Sequence, residues 1–274
     1  MKRGLVLALA LLLVVVAALA AHDLFIKPAS YFLAPNSASH ARVVNGTFTR
    51  SENSITWDRV RDLSVVGPAG TTHPEASAWS DRGDTSVLRF TTGAAGTYVL
   101  GASTRPRVLR LEGKDFNAYL ESDGVPDILA ARRKSGDITK PARERYQKHI
   151  KAVLQVGDRR SDTYGTSLGY PAELVPLENP YTLLPGSTLR LRTLVDGRPV
   201  ANQYVVSGGR TPNGGRIVGG AHRSDSSGVV RVPLKSAGQW YVKFIHMTKV
   251  AGDTAIDYES KWASLTFELR TGHR

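Results

Sequence analysis

The sequence predicts a mainly β fold, with two immunoglobulin-like β-sandwich modules and a helical segment between them. Three observations carry that prediction. The chain has 274 residues, enough for two domains each with its own core. Its 26 Gly and 14 Pro punctuate it too often for long helices. Short β-rich runs fill both ends, whereas the middle is charged. Hydrophobic residues at 41% and charged residues at 22% exclude disorder for most of the chain.

The N-terminal module is assigned to residues 22–112. Its strands are read at Ala41–Val44, Leu63–Val66, Val87–Phe90, Tyr98–Leu100 and Val108–Leu111, with a turn at Gly67-Pro68-Ala69-Gly70. Residues 113–157 are assigned to a helical connection. Thr139 ahead of Pro141, with Glu144 in the first turn, reads as a helix start. Ala142, Tyr146, Ile150, Val153 and Leu154 recur at helical spacing, leaving Arg143, Arg145, Lys148, His149 and Lys151 on a solvated face.

The C-terminal module is assigned to residues 158–274. Leu189, Leu191 and Thr193 alternate with polar neighbours as in a half-buried strand, and Asp196-Gly197 turns the chain. Further strands are read at Val229–Val232, Trp240–Met247 and Leu265–Leu269. Ala94-Ala95-Gly96-Thr97-Tyr98-Val99 is echoed by Ser236-Ala237-Gly238-Gln239-Trp240-Tyr241, which suggests two similar modules.

Residues 1–21 have the layout of a secretory signal peptide. Lys2 and Arg3 precede the apolar stretch Leu5–Val16, and Ala18-Leu19-Ala20 supplies the small residues of a cleavage site. The alternative is an uncleaved anchor. Cleavage predicts a periplasmic protein beginning near Ala21 or His22, with no membrane span. The absence of Cys excludes disulfides, a lipid-bearing cysteine and a thiolate metal site. The formal charge is +12, or +10 without Lys2 and Arg3. Export and the lack of an aromatic stacking platform argue against nucleic acid as the partner.

Neither a Gly-x-Ser-x-Gly elbow nor a His-Glu-x-x-His helix is present, so a binding protein is favoured over an enzyme. His73, His149, His222 and His273 read as surface histidines. His22 differs, because at a mature terminus it offers an amine and an imidazole to one ion, and Asp23 adds a hard oxygen. His246 continues the inward row of Trp240, Val242 and Phe244, so it is either a hydrogen-bonded core residue or a ligand at a sandwich rim. Asp257 and Glu259 are candidates to hold its second nitrogen. His40 is a further candidate ligand.

The motif His22-Asp23-Leu24-Phe25-Ile26-Lys27-Pro28 resembles the opening of domain-of-unknown-function family 4198. The resemblance continues through Asn45-Gly46-Thr47-Phe48, Ser51-Glu52, residues 114–120 and 140–146, Ile245-His246-Met247 and residues 257–267. Members are often described as periplasmic components of cobalt or nickel uptake systems. The resemblance therefore implies a periplasmic metal-handling protein accessory to uptake, with a membrane metal transporter as its partner. Phe25 stands where relatives often have Trp. The second module also resembles carboxypeptidase-regulatory-like sandwiches, which are usually non-catalytic.

The expectation is a binding protein for a divalent metal, Ni(II) or Co(II) first and Cu(II) left open, with ligands His22, His246, Asp23 and His40. Its competitor is an envelope interaction module without metal. A third reading is a copper oxidase with a terminal His brace, which a chain beginning at Ala21 disfavours.

Overall fold

The computed structural model describes residues 22–272, so the predicted signal peptide and His273 lie outside the described residues. The N-terminal half contains β1 (Asp23–Pro28), β2 (Phe32–Leu33), β3 (Ala38–Gly46), β4 (Val60–Gly67) and β5 (Gly70–Thr72). It continues with β6 (Trp79–Arg82), β7 (Thr85–Thr91), β8 (Gly96–Thr104) and β9 (Arg107–Leu111). Two short helices follow, α1 (Gly113–Ser122) and α2 (Pro126–Lys134), and then β10 (Ala142–Val156). The rest comprises β11 (Ala172–Pro176), β12 (Thr188–Val195), β13 (Arg198–Pro199) and β14 (Tyr204–Arg210). It ends with β15 (Arg216–Arg223), β16 (Val229–Pro233), β17 (Gly238–Lys249) and β18 (Tyr258–Leu269). The chain is mainly β, and each strand read from the sequence falls on one of these elements.

One long sheet runs β15-β14-β17-β18-β10-β8-β4-β5, with β2 and β9 also paired to β10. Two smaller sheets cover it, β1-β3-β7-β6 and β11-β12-β13 with β16 against β12. The first closes a core containing Ile26, Leu88, Leu100, Ile150 and Leu154. The second closes a core containing Leu189, Leu191, Trp240, Leu265 and Phe267. A third cluster packs α1 and α2 on Ile245, Met247, Tyr258 and Trp262. Burial of such side chains is the main driving force holding these layers together.

Helix was expected from Thr139 onward, but residues 142–156 form a strand, and the helices end at Lys134. The physical reason is a second periodicity in the same residues. Ile150, Ala152, Leu154 and Val156 alternate into the N-terminal core. On the other face His149 and Lys151 are also buried, at 1% and 2% exposure. This strand is the shared central one, parallel to β18 over Glu144–Ala152 and antiparallel to β8 over Val153–Val156. A strand covered on both faces hides its charges in specific pairs, and sequence alone makes those charges resemble a solvated helix face.

Candidate functional site

β1 lies along β3 with Asp23 opposite Gly46 and Leu24 opposite Asn45. Hydroxyls of β18 hold its backbone, Ser264 donating to the Leu24 carbonyl and Thr266 to the Ile26 carbonyl, both at 2.6 Å. At its start Asp23 accepts from Lys243 Nζ through both carboxylate oxygens at 2.6 Å, and Asp123 lies 3.4 Å from the same nitrogen. Lys148 Nζ donates to the His22 carbonyl. Burial alone would lower the Lys243 pKa, but the charges of Asp23 and Asp123 outweigh it and the net direction is upward. Burial raises Asp123 to about 6, against the opposing pull of Lys243. Burial likewise lowers Lys148 to about 8, with Asp23 and Asp123 opposing. The first described residues are therefore clamped by a part-buried ion pair to Lys243 and a lysine bond to the His22 carbonyl.

This clamp sets His22 over a cleft of about 400 Å³, lined among others by Asn45, Arg59, Arg107, Tyr146 and Lys148. Glu52 reaches the same imidazole, with Oε2 3.1 Å from His22 Nε2. The loop after β3 builds this contact. Glu52 N donates to the Asn45 carbonyl, and Ser51 Oγ accepts from Asn45 N and donates to the Asp84 carbonyl. Gly46 is needed where the loop folds back, since a Cβ there would sit 2.4 Å from the Arg50 carbonyl oxygen. Two buried polar atoms at the cleft, Asn45 Oδ1 and Arg59 Nε, have no hydrogen-bond partner among the described residues.

The four expected ligands do not converge. His246 and Lys243 lie on opposite faces of β17, because strand residues alternate. Asp23 grips Lys243, on the face shared with Ile245 and Met247 in the helical cluster. His246 points the other way, its Nδ1 3.0 Å from Gln203 Oε1. That is the hydrogen-bonded alternative for His246. Asp257 and Glu259 do not serve it, being paired with Arg143 and Arg145. His40 sits six residues before Gly46 on β3, exposed and opposite Arg89, so about 20 Å of strand separates it from the Asp23 end. A larger depression of about 540 Å³ beside His40 is lined by the exposed Arg42, Arg82 and Arg89 and holds no buried unpartnered group.

Of the expected set, only the neighbours His22 and Asp23 share a location, and Asp23 is engaged by Lys243. The partner that sequence reasoning left without a role is Glu52. Its signal was proximity to the Asn45–Phe48 block, but the turn that returns it to His22 is a long-range feature. No group of three His, Cys, Asp or Glu gathers among the described residues. A metal would thus take two protein ligands here, with water or a bound ligand completing its shell.

The histidine readings also need one correction. His149 is not a surface residue. Its Nδ1 lies 2.9 Å from Ser103 Oγ, its Nε2 has no partner among the described residues, and burial lowers its pKa to about 3. His73 is exposed beside Asp62, and His222 is half-buried against Ser207. Glu144 is buried as well, accepting from Tyr119 Oη at 3.0 Å and from Ser260, and burial raises its pKa despite those bonds.

Among the described residues no helix is long and apolar enough to cross a membrane. In comparison with known proteins, the family model described as "Domain of unknown function (DUF4198)" matches residues 19–248. No curated protein matches the chain significantly.

Proposed function

The chain belongs to the DUF4198 family, and on that premise we propose that it is an exported, non-catalytic binding protein for a divalent transition metal, captured at His22 and Glu52. The observation that carries this reading is the 3.1 Å separation of His22 Nε2 and Glu52 Oε2 at the mouth of a cleft. Ligands about 2.1 Å from one ion stand roughly 3.0–3.4 Å apart for octahedral to tetrahedral angles. The pair therefore has the spacing of one edge of a coordination shell, and without metal the same spacing is an ordinary hydrogen bond. Imidazole plus carboxylate suits first-row divalent ions, so Ni(II) and Co(II) are the leading candidates and Cu(II) follows. The residue 1–21 pattern supports periplasmic delivery, with a membrane transporter as the acceptor of the ion.

The test uses the untagged protein, exported natively, with its first residue identified by mass. After chelator treatment, Ni(II), Co(II) and Cu(II) are titrated by calorimetry. One saturable equivalent is expected, lost in His22→Ala, weakened at least tenfold in Glu52→Gln, and unaffected by His246→Ala. Absence of saturable binding at micromolar metal would overturn the reading and favour an interaction module. Equal loss in His246→Ala would contradict the placement of the site.

A further inference from the structure

The cleft beneath His22 has a second property, which is its charge. Three cations line it, Arg59, Arg107 and Lys148, against one carboxylate at its mouth, Glu52 on His22, and the charges of Asp23, Asp123 and Glu144 that reach Lys148 from outside the lining. None of the three makes an ion pair among the described residues. Arg59 is only 8% exposed, and its one side-chain hydrogen bond, from Nη2 to the Arg105 carbonyl, is long at 3.3 Å. Its buried Nε has no hydrogen-bond partner among the described residues. A buried guanidinium without a carboxylate costs stability that a bound anion would return.

We propose that this cleft binds a small organic anion with two or three carboxylates, anchored by Arg59 and Lys148, with the exposed Arg107 as a further cation of its lining. The planar fork of Arg matches a carboxylate, and Lys adds a point charge. A volume of about 400 Å³ exceeds the need of a lone inorganic anion and lies in the range of small-molecule sites. Ile55, Leu109 and Tyr146 give the cleft carbon surface for an organic skeleton. Asn45 Oδ1 is an acceptor and so suits a hydroxyl on that skeleton.

The anion site stands without the metal reading. If the metal reading also holds, the two sites adjoin, and the ligand taken up is the metal in complex with the carboxylate.

Citrate, malonate and inorganic phosphate are titrated by calorimetry into the full exported protein after exhaustive removal of metal. The expected result is saturable citrate binding with sub-millimolar affinity, at least tenfold weaker in Arg59→Met and threefold or more weaker in Arg107→Ser. Arg107 is exposed, so its variant decides the matter if Arg59→Met fails to fold. No saturation at 10 mM citrate overturns the proposal, as does citrate affinity unchanged in Arg107→Ser. Phosphate binding as tightly as citrate overturns the carboxylate assignment. Metal titration without any carboxylate tests the metal reading separately, so the two can fail independently.

Discussion

Lys243 on β17 is bound to Asp23 on β1 by two 2.6 Å contacts across 220 positions of sequence. That bond fixes the segment presenting His22, since Asp23 is its immediate neighbour. Removing the lysine leaves the part-buried Asp23 and Asp123 together with only the more distant Lys148 as counter-charge, the costly half of a broken pair. Lys243→Met is expected to destabilise by about 3–5 kcal/mol, read from urea unfolding. Adding Asp23→Asn is expected to recover part of that loss. A cost below about 1 kcal/mol would show that the pair does not hold β1.

Lys151 and Glu173 form the deepest ion pair among the described residues, at 3.0 Å with side chains 2% and 1% exposed. Glu173 has further duties. It accepts from Ser167 Oγ at 2.6 Å and from the backbone N–H groups of Leu168 and Tyr170. Glu173→Leu therefore leaves the lysine with only the Thr166 carbonyl and strands one buried and one part-buried amide, whereas Lys151→Met strands the carboxylate alone. The glutamate variant is expected to cost more, by about 1–3 kcal/mol for the orphaned donors. Equal losses in chemical unfolding would refute the added role of Glu173.

Tyr98 and Trp240 occupy matching places in the echoed segments. Tyr98 Oη donates to the Ala94 carbonyl at 2.8 Å, and Trp240 Nε1 donates to the Ser236 carbonyl at 3.0 Å. Each ring thus closes onto the carbonyl four residues back, at the start of β8 and β17. Tyr98→Phe also frees Gly93 N–H, which donates to the same hydroxyl, and is expected to cost about 1–2 kcal/mol. Trp240→Phe vacates core volume too, so about 2–3 kcal/mol is expected. Thermal unfolding of the two variants tests the ranking.

The strands were legible because their apolar alternation survives in sequence, and the turns at Gly67–Gly70 and Asp196-Gly197 because Gly and Asp tolerate positive φ, observed at 120° for Gly70, 49° for Asp196 and 75° for Gly197. The strand of residues 142–156 was not, because Lys148, His149 and Lys151 carry no mark that distant partners will bury them. The Tyr98–Trp240 correspondence was visible as a local motif, although its hydrogen bond was not. For the site, His22 could be singled out by its position, whereas Glu52 depended on a loop that returns through Gly46. The alternation that placed His246 beside Phe244 was right, and it is what separates His246 from Asp23.

The pH dependence of stability is set partly by His149. Its folded pKa is lowered to about 3 by burial, from an ordinary 6.5. Above pH 6.5 neither state binds the proton and His149 makes no titration contribution. Below it the unfolded chain takes up a proton that the folded chain refuses, so stability falls as pH drops from 6.5 toward 3. By pH 5 the loss is about 2 kcal/mol, at 1.36 kcal/mol per pH unit. Asp123, raised to about 6, works in the opposite direction over the upper part of that window, because its folded form binds the proton first. Glu144, also raised, and His222 and His246, also lowered, titrate in the same range, so the wild-type profile alone blends several effects. The difference between wild type and His149→Gln isolates the histidine, since Asp123 is common to both and Gln retains a partner for Ser103. Urea unfolding at pH 7.5 and 5.0 is expected to show wild type losing about 1–2 kcal/mol more than the variant. Parallel losses would mean that the unpartnered His149 Nε2 reaches water.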